Sequence, residues 1–180
     1  MYAMVSIPSF PPYSKPLMIS IVKSPSNIKG YTLTAEQRLA ESREEIFSFF
    51  ADARQLETLT PPSLSFALLN ETPIEMQTGT LIDYQLRIHG IPIRWQSKIS
   101  VWEPPVRFVD EQMKGPYRFW RHEHLFEETD QGVTVRDIVH YAVPLGGVVH
   151  TLFVKRDLKH IFEYRQQKLA EIFTPVKNES

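Results

Sequence analysis

The chain has no cysteine among its 180 residues. Disulfides, thiolate nucleophiles and cysteine-ligated zinc or iron-sulfur centres are therefore excluded, and nothing calls for an oxidising compartment. An excess of one charge is missing too: 20 Lys and Arg offset 21 Asp and Glu, a net charge of -1, with no long run of either sign. A polyanion would have to be met by a local patch, so nucleic acid is not an expected partner. No apolar run approaches the ~20 residues needed to cross a bilayer, and the first residues lack the charged region and apolar core of a secretory signal. The expectation is a cytoplasmic protein with no stable membrane insertion. Walker and dinucleotide-binding glycine patterns are absent, as is a Gly-x-Ser-x-Gly elbow, which sets aside nucleotide-dependent and serine-hydrolase chemistry.

What is present fits one domain preceded by a tail. Residues 1 to 29 hold five of the fourteen prolines, many serines and no steady hydrophobic period, the mark of a Pro-rich, flexible or extended arm. Met18 is an alternative start of translation, and Ile19, Ile21 and Val22 are its candidates for packing. From Gly30 the two-residue period of a half-buried strand takes over, with Tyr31, Leu33, Ala35, Gln37 and Leu39 on one side. Ser42 with Glu45 forms a capping box ahead of Ile46, Phe49 and Phe50, and Asp52 with Gln55 repeats the signal ahead of Leu56 and Leu59. Two short helices are predicted, ended by Pro61-Pro62.

Six more strands follow, at 64–70, 80–88, 93–103, 107–113, 117–128 and 133–143. They are separated by Gly79, Gly90 with Pro92, Pro104-Pro105, Gly115-Pro116 and Asp130-Gln131-Gly132. Links this short join antiparallel neighbours, because parallel ones need a crossover. After Pro144 and Gly146-Gly147 the period becomes helical to about Phe173, with Val154, Leu158, Ile161, Arg165, Leu169 and Ile172 on a stripe closed by Pro175. The basic side of that helix, Lys155, Arg156, Lys159 and His160, reads as a solvated face. A domain at 30–174 with a short tail at 175–180 results. It is an α+β arrangement: a seven-stranded antiparallel sheet clasping one long C-terminal helix.

Strand alternation places Trp120, His122, His124 and Phe126 on one face. The inward set of the neighbouring strands includes Ile82, Tyr84, Leu86, Trp95, Ser97, Ile99, Asp137 and Tyr141. A buried polar group without a partner costs on the order of 1 to 3 kcal/mol, so the imidazoles, Asp137 and Tyr141 must pair, hold water or meet a ligand. A curved sheet around a helix leaves room for the last. The candidate ligand-binding residues are Tyr84, Trp95, Trp120, His122, His124, Phe126, Asp137, Tyr141, Leu158, Ile161 and Arg165. Arg165 would pair with a ligand carboxylate or with Asp110.

The element order resembles the helix-grip domains of the SRPBCC superfamily, which takes in polyketide cyclases/dehydrases, START lipid-transfer domains and plant pollen-allergen-like carriers. The segments DARQLETLTPP (52–62), Gly79 to Tyr84, Trp95, WEPPVRFVDEQ (102–112), GPYRFWRHEHLF (115–126), Asp137, Tyr141 and Pro144 carry the resemblance. They are similar to a bacterial ligand-binding group with a GPYxxWxHxHxF signature, over about residues 30 to 173. The resemblance implies a hydrophobic cavity between sheet and long helix for a lipid, polyketide or aromatic molecule.

Three readings of these residues follow. A carrier or sensor would stack its ligand on Trp95, Trp120 and Tyr141 and orient the polar end with His122, His124 or Asp137. A cyclase or dehydratase would use His122 and His124 as acid and base, with Asp137 setting a tautomer and Tyr141 donating to an oxyanion. A cupin-like metal centre would use His122, His124, Glu128 and His150, but the spacings slip by one residue, and a slip of one turns a strand side chain to the other face. No metal and no other cofactor is expected.

Overall fold

The computed structural model describes residues 18–24, 30–144 and 147–176. The remaining parts of the two expected tails, and the Leu145-Gly146 link, lie outside the described residues. The chain runs β1 (Met18–Lys23), β2 (Tyr31–Leu39), α1 (Arg43–Ala51), α2 (Gln55–Thr58), a 3-10 turn, β3 (Ala67–Leu68), β4 (Leu81–Ile88), β5 (Ile91–Glu103), β6 (Arg107–Lys114), β7 (Phe119–Thr129), β8 (Gly132–Ala142), α3 (Gly147–Val149), a π-helical turn (His150–Val154) and α4 (Lys155–Ile172). One antiparallel sheet has the order β1-β2-β8-β7-β6-β5-β4-β3. The seven expected strands are all present, and an eighth, β1, corrects the reading of residues 1–29 as a tail throughout. Met18 to Lys23 pair with Glu36 to Tyr31, and Ile19 and Ile21 pack on the core.

The first helix-start signal acts as predicted, whereas α2 has Arg54 at its N-cap and no side-chain cap. Ser42 Oγ accepts the Glu45 amide at the start of α1, and Ile46, Phe47 and Phe50 are buried. Phe47, not Phe49, completes that face. Before α2 the carboxylate of Asp52 accepts the Arg54 amide. Gly132, at φ +130°, lies so close to the Leu39 carbonyl that a Cβ would collide with it, so glycine is required where β8 begins alongside β2. Two register shifts in β5 bend the strand. The expected C-terminal tail is in part docked: Val176 N donates to Arg38 O, and Pro175 bridges Leu39.

Two apolar clusters fill the interior. One joins α1 to the far ends of β7 and β8 through Phe47, Phe50, Phe108, Phe126, Val135 and Leu169. The other joins β2 and β8 to α4 through Leu33, Val139, Tyr141, Leu158 and Phe162. Between them, on the sheet face under α4, sit the polar residues.

The start of the long helix is anchored by a buried histidine. His150 Nε2 and the Tyr141 hydroxyl are 2.8 Å apart, and the Tyr31 ring stacks on the imidazole at 3.3 Å. Burial, helped by Lys155, lowers the His150 pKa. A group with a folded pKa below its unfolded value of about 6.5 contributes stability above that pH and loses it as pH falls through the folded pKa. Melting temperatures recorded from about pH 7 down to pH 5 should therefore fall less steeply in His150→Gln than in the wild type. Parallel curves would show that His150 does not titrate differently on folding.

Candidate functional site

Cross-strand register assembles the site. Asp110 on β6 faces His122 on β7, and His124 faces Asp137 on β8. Alternation turns all four to the buried face, and Arg165 reaches down from the middle of α4. Strand pairs opposite and diagonal are within side-chain reach, and both kinds of contact occur. His122 Nε2 is 2.9 Å from Asp137 Oδ1, and His124 Nε2 is 3.1 Å from Asp110 Oδ2. On their other nitrogens, His122 Nδ1 lies 3.7 Å from Asp110 Oδ2, and His124 Nδ1 lies 3.0 Å from Asp137 Oδ1. Arg165 Nη2 donates to Asp137 Oδ1 at 3.1 Å. The two imidazole rings lie with centroids 3.7 Å apart, tilted by 36°. Both therefore stand between the same two carboxylates.

All of these except Asp110, which is half-buried, are buried. Burial raises the Asp137 carboxyl, but the Arg165 guanidinium and the hydrogen bonds from both histidines outweigh it and hold the group well below the usual range. Asp110 is likewise opposed by burial, yet lies below its ordinary value through the His124 hydrogen bond and the charges of His122, His124 and Arg165. His122 is lowered by burial and by His124, against the pull of Asp137.

Above this cluster is a cavity of about 120 Å³. Its polar floor is Asp110, His122, His124 and Arg165; its walls include Phe50, Leu56, Leu59, Met76, Ile82 and Trp120. Tyr84 and Ser97 also line it, and Ser97 Oγ donates to Asp110 Oδ1 at 3.4 Å. Trp95 stands behind, stacked on Tyr84 and edge-on to Trp120.

Of the residues expected to bind a ligand, Tyr84, Trp120, His122, His124 and Arg165 line the cavity. Asp137 supports three of its polar groups. Phe126, Tyr141, Leu158 and Ile161 do not line it. Phe126 is sealed among Phe47, Phe50 and Phe108, and the other three belong to the β2-β8-α4 cluster. The cavity lies under α1 and α2, with Arg165 the sole contribution of α4. That helix seats Phe162 and Gln166 beside Arg165 in preference to Ile161, which is only half-buried. The partner of Arg165 is Asp137, not Asp110. Glu128 is exposed and paired with Arg43, and His150 bonds Tyr141, so the cupin-like ligand set is not assembled. Asp110 was detectable: it alternates with the apolar Phe108 on β6. Met76, in a loop without periodicity, carries no such signal.

This arrangement is the helix-grip fold of START and Bet v 1-like proteins, with a buried polar cluster built into the sheet. No protein-family model matches the sequence, and no curated protein matches it. Among solved structures it is similar to the protein Ms6760 from Mycobacterium smegmatis, at 17% identity and TM-score 0.64 over 87% of this chain and 97% of that one. A protein from Arthrobacter aurescens solved by NMR is similar at 13% identity and TM-score 0.66, over 84% and 91%. The major latex-like protein 151 of Panax ginseng matches at 10% identity and TM-score 0.60, over 80% and 97%. At these identities the likeness establishes the fold. No helix among the described residues is long and apolar enough to cross a membrane.

Proposed function

We propose that the chain binds a compact amphipathic molecule, an aromatic or short polyketide-like compound with an acceptor oxygen, as a carrier or sensor of the SRPBCC type. The observation that carries this reading is the asymmetry of the cavity. Its walls are apolar and aromatic, while its floor holds a buried guanidinium whose Nε has no hydrogen-bond partner. A buried donor without a partner costs on the order of 1 to 3 kcal/mol, and a ligand carboxylate or carbonyl drawn down to that floor would meet the guanidinium and the imidazoles. The volume sets the size. Ordinary ligand pockets span about 300 to 1,000 Å³, and about 150 Å³ accepts a benzene ring. A cavity of about 120 Å³ therefore fits a small ring and excludes an extended lipid unless α1 and α2 move apart.

Trp120 lines the cavity, and its fluorescence reports occupancy. Titration with a panel of small aromatic carboxylates should quench it with 1:1 stoichiometry, and Trp120→Ala should weaken binding by about 10-fold. Native mass spectrometry of the purified protein adds any ligand retained from the cell. A panel without binders, together with a ligand-free mass, would remove the carrier reading.

The two histidines favour a second reading, cyclase or dehydratase chemistry, because both are held between Asp110 and Asp137 and both face the cavity. In that case His122→Gln and His124→Gln should abolish turnover and leave ligand binding largely intact.

A further inference from the structure

We propose that His122 Nδ1, His124 Nε2 and Asp110 Oδ2 form a binding site for one first-row divalent cation, with Asp137 as the carboxylate that supports both imidazoles from behind. The argument begins with the lone pairs. A carboxylate only accepts hydrogen bonds, so each imidazole nitrogen facing one is satisfied only if it carries a proton. His124 faces Asp110 through Nε2 at 3.1 Å and Asp137 through Nδ1 at 3.0 Å. With its proton on Nε2 toward Asp110, His124 Nδ1 accepts from Arg165 Nη2 at 3.2 Å, so this imidazole is satisfied in one neutral tautomer. His122 differs: Nε2 lies 2.9 Å from Asp137 Oδ1, whereas Nδ1 is 3.7 Å from Asp110 Oδ2, beyond hydrogen-bond reach, so a proton on Nε2 leaves the Nδ1 lone pair without a hydrogen-bond partner.

A cation on the Asp110 side takes up that lone pair and replaces the hydrogen bond between His124 and Asp110. With the protons of His122 on Nε2 and of His124 on Nδ1, both N–H groups face Asp137 Oδ1, Arg165 Nη2 gives up its contact with His124 Nδ1, and both lone pairs face the Asp110 side. The three donor atoms lie within 4.8 Å of one another. Bonds of about 2.0 to 2.2 Å place ligand atoms roughly 3.0 to 3.6 Å apart, close to the 3.1 and 3.7 Å separations of Asp110 Oδ2 from the two imidazoles. A divalent cation would also face two carboxylates, Asp110 and Asp137, that share the one guanidinium of Arg165. Two imidazoles and one carboxylate suit zinc, cobalt, iron or manganese in the divalent state.

Two further features match a metal centre more than a solid core. A carboxylate hydrogen-bonded to the far nitrogen of a ligating histidine fixes its tautomer and raises its basicity, and Asp137, held by Arg165, stands in that position for both histidines. The donor triad also lines the cavity of about 120 Å³, which at about 30 Å³ per water leaves space for the remaining ligands. The site adds to the ligand reading without resting on it, because a metal titration needs no organic molecule.

The test uses tag-free, chelator-treated full chain titrated with Zn²⁺ by calorimetry and with Co²⁺ by its d-d absorption. The expected result is one equivalent bound per chain. Asp110→Asn and His124→Gln should weaken binding by at least about 100-fold, and Asp137→Asn by about 10- to 100-fold. Glu128→Gln, at the exposed position that a cupin-like spacing would select, should leave it unchanged. If the cluster variants do not fold, nitrogen NMR of the wild type still decides: Zn²⁺ should shift the ring nitrogens of His122 and His124 and leave those of His89, His140, His150 and His160 in place. Absence of stoichiometric binding, or binding that moves the other histidines, would overturn the site. Loss of metal binding with retained aromatic-ligand binding would leave the carrier reading standing alone.

Discussion

Arg165→Met is expected to cost about 3 to 5 kcal/mol of folding stability, the range observed when one partner of a buried ion pair is removed. The side chain is 7% exposed and is the cation of the cluster, 3.1 Å from Asp137. Its loss strands two carboxylates beneath a helix, with water reaching them only through a small cavity. Total stability of a domain is about 5 to 15 kcal/mol, so the denaturation midpoint in urea should fall substantially with little change in slope. The double variant Arg165→Met, Asp137→Asn should recover a large part of the loss, because it removes the uncompensated charge along with its partner. A single variant as stable as the wild type would show that the cluster is hydrated or neutralised by another cation, and the buried-pair description would fail.

Phe126→Ala should show a loss of similar size for an unrelated reason. Phe126 is 1% exposed and touches three other phenylalanine rings, with centroids 5.1 to 6.2 Å away. Truncating a buried phenylalanine costs about 3 to 5 kcal/mol, the transfer energy plus the cavity left behind. Since Phe126 lies behind Phe50 and Phe108 and not on the cavity surface, affinity for an aromatic ligand should hold in whatever fraction remains folded. A loss below about 1 kcal/mol, ordinary for a surface position, combined with changed ligand affinity would return Phe126 to the cavity wall. Urea unfolding and fluorescence titration of the same sample separate the two outcomes.

The face that carries the site was legible in the strand period. Trp120, His122, His124 and Phe126 alternate with Arg121, Glu123 and Leu125, and the turn residues located the ends of β4 to β8. Arg165 stood out as a charge on an apolar helical stripe. What could not be read was which of these residues meet. Asp110 joins the histidines because β6 and β7 align Asp110 with His122, and a shift of two residues would preserve the facing pattern while dissolving the triad. Tyr141 has the same period as His122 and lies opposite Trp120, but its hydroxyl turns to His150. The strand formed by Met18 to Lys23 was hidden by the prolines around it; it exists because the outer edge of β2 offers unpaired backbone groups.

Local chemistry was enough to determine the elements: alternation, capping residues and ladder-stopping turns act over a few positions and need no knowledge of the remainder of the chain. Which side chains share an enclosure was decided by tertiary structure, through strand register, the rotation of α4 and the descent of α1 and α2 over one end of the sheet. Those depend on how whole faces pack, and packing energy comes from contacts between residues far apart in the chain, to which no short window of sequence is sensitive.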